Sequence, residues 1–189
     1  VAGSTWQEDE VELLHFVNTN PDIKFIIAPH EINDENLMDV KDEFPKSVFY
    51  SDWIDSHFHI TYPRAKTNVL IIDNIGMLSC LYKYATIAYV GGGFGGDGVH
   101  NVLEAAVYGK PVVFGPVYEK FDEAFGLVNA GGGISIDGPV DLDATLNNLL
   151  QNAEERLRRG EAAKQYVQDN AGASKKIIQF IQEKRLLIN

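Results

Sequence analysis

Short, largely apolar runs recur along the chain, most of them followed by a stretch with helical spacing, and this alternation leaves few folds open. The runs are Val1-Ala2, Lys24 to Ala28, Ser47 to Tyr50, Asn68 to Asp73, Thr86 to Val90, Pro111 to Phe114 and Gly133 to Ile136. A strand that is apolar on both faces must be covered on both faces. Strands that alternate with helices run parallel, because each helix carries the chain back to the starting edge. The predicted fold is α/β: a Rossmann-like doubly wound parallel sheet of about six strands, with Val1-Ala2 ending or forming the first.

The stretches between the runs read as helices. Glu8 to Val17 carries Val11, Leu14, Phe16 and Val17 at helical spacing. Further helices are expected over Asp34 to Phe44, Met77 to Tyr84, Asn101 to Tyr108, Phe121 to Asn129, Leu142 to Gln151, Glu154 to Gln168 and Ser174 to Lys184, with Ser174 as the cap of the last. Asp52 to Thr67 mixes turn residues and reads as a loop, with His57 and His59 on its surface and no third metal ligand beside them. Cys80 lies among Leu78, Leu81 and Tyr84 and is expected in the core.

Composition narrows the function classes. A chain of 189 residues with 45% hydrophobic content buries one substantial core. Its one cysteine excludes a disulfide framework or a zinc cluster. No apolar run approaches the roughly 20 residues that span a bilayer, and no signal peptide is visible. The net charge of −11 argues against a nucleic-acid surface, which needs clustered Lys and Arg. The opening Val1-Ala-Gly-Ser-Thr5, without an initiator Met, reads as a domain of a longer protein cut at its first strand.

The segment Gly91 to Ala106, GGGFGGDGVHNVLEAA, carries most of the functional information. A glycine-rich loop between a strand and a helix presents backbone N–H groups at the positive end of the helix dipole, a setting suited to phosphate. Gly91, Gly93 and Gly96 formally match the dinucleotide fingerprint, but Asp97 to His100 intervene before the helix and the unit lies late in the chain. Asn101 and Glu104 fit two roles: a capping box, or a carboxylate that receives both hydroxyls of a ribose. Spacing alone leaves these even. His100 flanks the loop and can donate to a phosphate or carboxylate. His30 sits at the end of another strand, and Ser4 and Thr5 follow the first strand, where hydroxyls either cap a helix or touch phosphate. Ligands in doubly wound sheets bind at the carboxyl ends of strands. The loops at Gly3 to Thr5, Pro29 to Glu31, Asp73 to Met77, Gly91 to Asn101 and Gly115 to Phe121 are therefore expected to share one crevice.

The run His100-Asn101-x-x-Glu104-Ala105, followed by Gly109-Lys-Pro-Val-Val-Phe-Gly-Pro116 and Phe121, resembles the carboxyl-terminal donor-binding half of 3-deoxy-D-manno-octulosonic acid (Kdo) transferases. Val1 to Thr5, Ile87 to Gly92 and the Asp73-Asn-Ile-Gly-Met77 loop add to the likeness, which covers nearly all of residues 1–189 as a single domain. The family is of GT-B glycosyltransferases of lipid A assembly. The resemblance implies a CMP-Kdo donor and a lipid A precursor as acceptor, held by an amino-terminal domain that this chain lacks; with no Asp-x-Asp pair at a strand end, neither a metal nor a cofactor is expected. That domain supplies the catalytic base and the membrane contact at the cytoplasmic face of the bacterial inner membrane, so no catalytic residue is expected here.

Within this chain the resemblance puts Gly92, Gly93, His100 and Asn101 near the donor phosphate or sugar acid. It puts Glu104 near the ribose, the Ile75, Gly76 and Met77 backbone near the base, and Ser4, Thr5 and His30 along the cleft. Two departures stand out: the family's Arg between Pro and His is missing where Pro29 meets His30 directly, and Gly95-Gly96-Asp97-Gly98 lengthens the loop. The rival readings are another GT-B enzyme or a sugar-nucleotide epimerase using a uridine diphosphate, and a non-catalytic interaction domain whose glycine loop is only a turn. In that last reading the apolar end at Leu186, Leu187 and Ile188 seeks a neighbour.

Overall fold

A computed structural model describes residues 1–55, 67–184 and 186 of the chain. Among them, seven strands form one parallel sheet: β1 (Ala2–Thr5), β2 (Phe25–Pro29), β3 (Ser47–Phe49), β4 (Val69–Ile71), β5 (Ala88–Val90), β6 (Val112–Phe114) and β7 (Gly133–Ser135). Their order is β3-β4-β2-β1-β5-β6-β7. The doubly wound parallel sheet is as expected. The seventh strand arises because Ala2–Thr5 is a full strand, paired on both sides.

The helices are α1 (Gln7–Thr19), α2 (Asp34–Glu43), α3 (Tyr50–Ile54), α4 (Leu78–Leu81), α5 (Leu103–Ala106), α6 (Asp122–Asn129), α7 (Pro139–Gln151), α8 (Ala153–Asn170) and α9 (Ala173–Glu183). A 3₁₀ turn at Tyr82–Tyr84 continues α4. Strand residues alternate between two cores. Ile27, Ile71, Tyr89 and Val113 join Leu13, Phe16 and Val17 of α1, Val40 of α2, and Leu142, Leu146 and Leu149 of α7. Ala88, Val90, Val112 and Phe114 face the other way, onto Tyr82, Val102, Ala105, Ala106, Leu127 and Ala163. Helices thus cover both faces, as strands apolar on both sides require.

The topology fixes where a ligand fits. From β1 the chain passes to β2 and on to the edge strand β3, comes back as β4 between those two, then crosses to the other side of β1 as β5. The winding direction reverses between β1 and β5, and the crevice of such a sheet opens at the carboxyl ends of those two strands.

Several local expectations are corrected. The inward face of α1 is Asp9, Glu10, Leu13, Phe16 and Val17, while Val11 is exposed. Cys80 is exposed rather than core. Leu78 packs beneath the sheet against Gly3, and a residue two positions on lies about 200° round the helix, facing out. Tyr82 fills the buried position instead. Ser174 lies inside α9, whose cap is Gly172 at φ 98°, because the turn out of α8 needs a left-handed residue. Tyr50 leaves the strand to start α3, which Asp73 anchors by accepting from the Ser51 amide at 3.1 Å and from its hydroxyl. His57, His59, Leu187 and Ile188 lie outside the described residues, and Leu186 is exposed.

Candidate functional site

At the end of β1 the backbone breaks its ladder with β2. Gly3 pairs Ala28 and Thr5 pairs Pro29, and the extra residue, Ser4, takes φ 52°. A bulge with a non-glycine residue in the left-handed region is a costly feature that the surroundings must hold in place. It redirects the chain so that Thr5 points inward, where its hydroxyl donates to Glu10 Oε1 at 2.7 Å. The Thr5 side chain is therefore engaged within the protein, and Ser4 is the half-buried residue beside the crevice.

One turn into α1, Asp9 is fully buried and receives three donors. The Trp6 amide reaches Oδ2 at 3.0 Å, the Gly92 amide reaches the same oxygen at 2.8 Å, and the Tyr89 hydroxyl reaches Oδ1 at 2.7 Å. Burial raises its proton affinity, and those hydrogen bonds oppose the rise. Its neighbour Glu10 is 2% exposed. Burial pushes the Glu10 carboxyl up to about 7; the Thr5 hydrogen bond works against this, while Glu43, Asp9 and Asp39 add to it.

The glycine loop offers fewer open amides than expected, because five of the ten from Gly91 to His100 bond within the protein. The Gly91 amide completes the sheet onto Gly3, Gly92 donates to Asp9, Gly95 to Gly92, Val99 to Val117 and His100 to Gly91. The helix that follows, α5, is four residues long, so its dipole is small. The glycines serve close approach instead. Gly92 stands at φ 90°, and a Cβ there would lie 2.4 Å from the Gly98 oxygen and 2.9 Å from His100 Cδ2. A Cβ on Gly93 would lie within 2.9 Å of three backbone atoms of Gly115. The loops after β5 and β6 therefore touch backbone to backbone. Lys120 adds a cation to this junction, donating to the Gly96 oxygen at 3.1 Å.

Three rings meet over the switch point. Trp6 and His100 lie nearly coplanar, with the Trp6 indole N–H donated to His100 Nε2 at 2.8 Å. His30 stacks on both, with centroids 4.5 Å from Trp6 and 4.4 Å from His100. The His30 backbone N–H is tied to the Thr5 oxygen at 2.8 Å, which anchors the backbone that carries the exposed imidazole. Burial lowers the basicity of His100, and the neighbouring His30 lowers it further, against the pull of Asp9 and Asp97.

Asn101 and Glu104 do not form a capping box. Asn101 Oδ1 accepts the Leu103 amide at 3.1 Å, and its Nδ2 donates to Glu104 Oε1 at 3.2 Å. The Glu104 carboxylate is thus held by a side chain rather than spent on the helix start, and Oε2 carries no hydrogen bond among the described residues. On the other flank Ile75 and Gly76 are exposed, with Gly76 at φ 94° and open space around its Cα, and Met77 is half-buried.

Of the residues expected at the site, the structure brings Ser4, His30, Gly92, Gly93, His100 and the Asn101–Glu104 pair to the ends of β1, β2 and β5, and turns Thr5 inward. Trp6, Asp9 and Glu10 were not anticipated. The signal was present: Asp9 and Glu10 fall on the same helical stripe as Leu13, Phe16 and Val17, and a carboxylate on an apolar stripe needs a partner.

No family model matches the chain. Among curated proteins, it is 31% identical over 121 residues to a 3-deoxy-D-manno-octulosonic acid transferase of Haemophilus influenzae, covering 63% of this chain and 28% of that protein. It is 29% identical over 163 residues to the transferase of the same name from Aquifex aeolicus, covering 82% of this chain and 42% of that protein. A third, from Chlamydophila psittaci, is 37% identical over 94 residues, or 49% of this chain and 22% of that protein. The chain is similar to the Kdo transferases. The matches span less than half the length of these relatives. Among solved structures, the fold matches the C-terminal CMP-Kdo binding domain of WaaA from Acinetobacter baumannii, with a TM-score of 0.74 and 21% identity over 88% of this chain and 87% of that one. The likeness to Kdo transferases thus extends from sequence to the α/β architecture.

Proposed function

We propose that this chain is the donor-binding domain of a GT-B Kdo transferase, holding CMP-Kdo in the crevice between β1 and β5. The whole protein would transfer Kdo to a lipid A precursor at the cytoplasmic face of the bacterial inner membrane, with the base and the acceptor contacts supplied by another domain. The supporting observation is that the segment carrying the similarity, His100-Asn101-x-x-Glu104, stands at the switch point of a sheet with the fold of a CMP-Kdo binding domain.

In this reading His100 and Lys120 meet the anionic part of the donor, and Glu104 receives the ribose hydroxyls. The exposed Ile75 to Met77 backbone contacts the base, while Gly92 and Gly93 keep the floor of the crevice clear of side chains. The domain contributes binding and charge stabilisation of the departing CMP, and transfers nothing alone.

Calorimetric titration with CMP, UMP and UDP tests this. Binding of CMP at millimolar ligand or tighter, in preference to the uridine nucleotides, is the expected result. Preference for UDP would favour an epimerase or another GT-B enzyme, and no binding of any nucleotide would leave an interaction domain.

A further inference from the structure

We propose that Trp6 is a positioning residue for His100: its indole N–H, donated to Nε2, holds the imidazole as the Nδ1–H tautomer and so sets which ring edge offers a donor to an anionic ligand. The proposal rests on the reading of the crevice as a nucleotide-sugar site.

An indole N–H only donates, so Nε2 must be the bare nitrogen when it accepts at 2.8 Å. A neutral imidazole then carries its proton on Nδ1. The Nε2–Cδ2 edge of the ring is turned toward Trp6 and Gly92, where a Cβ on Gly92 would come within 2.9 Å of Cδ2. Nδ1 lies on the other edge and has no hydrogen-bond partner among the described residues. A single donor with a fixed tautomer and a fixed ring plane is a better anion contact than a ring that exchanges tautomers, because less freedom is lost on binding.

The stack supplies the fixed plane. His30 covers both rings, and the two coplanar rings are locked edge to edge by the hydrogen bond. Protonating His100 would convert Nε2 into a donor facing another donor, so Trp6 favours the neutral form. The groups that face His100 are Trp6 from the start of α1, Asp9 within α1, His30 after β2, and Asp97 in the glycine loop. The two acids favour the cation, while His30 and Trp6 oppose it.

Trp6→Phe keeps an aromatic ring against His30 and removes the N–H. Long-range ¹H–¹⁵N spectra of the 189-residue chain without ligand read the His100 tautomer directly, and CMP titration of both proteins reads the consequence. The expected result is the Nδ1–H form in the parent chain and loss of that preference in Trp6→Phe. The His100 titration midpoint should rise by about half to one pH unit, the size of one net hydrogen bond. CMP affinity should fall about three- to tenfold, with unchanged circular dichroism and an unchanged fold of the β-sheet resonances. The Nε2–H form in the parent chain overturns the proposal, as does full CMP affinity in Trp6→Phe despite an altered tautomer. A parent chain that binds no CMP overturns the proposed function and the ligand half of this inference, and the unliganded spectrum still decides whether Trp6 sets the tautomer.

Discussion

Asp9 accepts the amide of Gly92 at 2.8 Å across 83 positions of sequence. This bond joins the first helix to the glycine loop and, together with the Trp6 amide and the Tyr89 hydroxyl on the same carboxylate, pins both walls of the crevice to one buried group.

Replacing Asp9 by Asn should loosen that junction. An Asn has one acceptor oxygen and an amide that donates, so at least one of the three donors loses its acceptor in a site without water access. Leaving a buried donor unmade costs about 1–3 kcal/mol. Urea denaturation of Asp9→Asn should show a loss in that range, and Asp9→Ala, which leaves no acceptor for any of the three donors, a larger loss with faster amide exchange at Gly92. Unchanged exchange at Gly92 would show that the loop is held by other contacts.

The glycine loop offers a paired test of packing. Gly93→Ala pushes a methyl into the Gly115 backbone, which has no flexible end to move aside. Overpacking of this kind costs about 1–3 kcal/mol. Gly96 has open space around it and no left-handed φ. Gly96→Ala should therefore stay within about 0.5 kcal/mol of the parent. Equal losses in the two variants, measured by denaturant midpoint, would refute the assignment of these loops as a backbone-to-backbone junction.

Glu10 gives a pH signature. Its carboxyl moves from the ordinary 4.5 to about 7 on folding, chiefly through burial. The folded state therefore holds a proton that the unfolded chain releases between those values. The stabilisation is fully present below 4.5 and is lost as pH rises through about 7. At about 1.4 kcal/mol per pH unit, the loss is on the order of 3 kcal/mol. Glu10→Gln, which stays neutral and keeps an acceptor for Thr5, should flatten this slope. Parallel stability curves for the two proteins from pH 5 to 8 would rule out Glu10 as its source.

Much of the fold is legible because apolar runs such as Thr86 to Val90 admit one reading, a strand buried on both faces. What is less legible depends on contacts made far along the chain. The sequence does not show that β4 inserts between β2 and β3, since strand order depends on side-chain fit across a sheet already formed. Asn101 to Tyr108 has helical spacing, yet α5 is four residues long, because Asn101 accepts the Leu103 amide and Gly109 closes the last turn. His100 and Glu104 stand out by their neighbours in sequence. Trp6 does not: its partners His30 and His100 are 24 and 94 positions away. Gln7 to Glu10 looks like an ordinary acidic first turn, which a helix dipole favours by itself.

Glu104 is the residue on which the ribose assignment turns, and a deletion from each side tests it. Asn101 steadies the carboxylate through Oε1 at 3.2 Å, which leaves Oε2 for a hydroxyl. Hydrogen bonds to a charged acceptor contribute about 1.5–3 kcal/mol, so Glu104→Ala should weaken CMP binding about 10- to 100-fold. Removing the 2′-hydroxyl from the ligand should weaken binding to the parent chain in the same direction. The two losses should not add: if they report one contact, Glu104→Ala binds CMP and 2′-deoxy-CMP equally. Calorimetric titration of both ligands against both proteins completes the cycle. A preference for CMP that survives in Glu104→Ala would move the ribose elsewhere in the crevice and return Glu104 to a structural role beside Asn101.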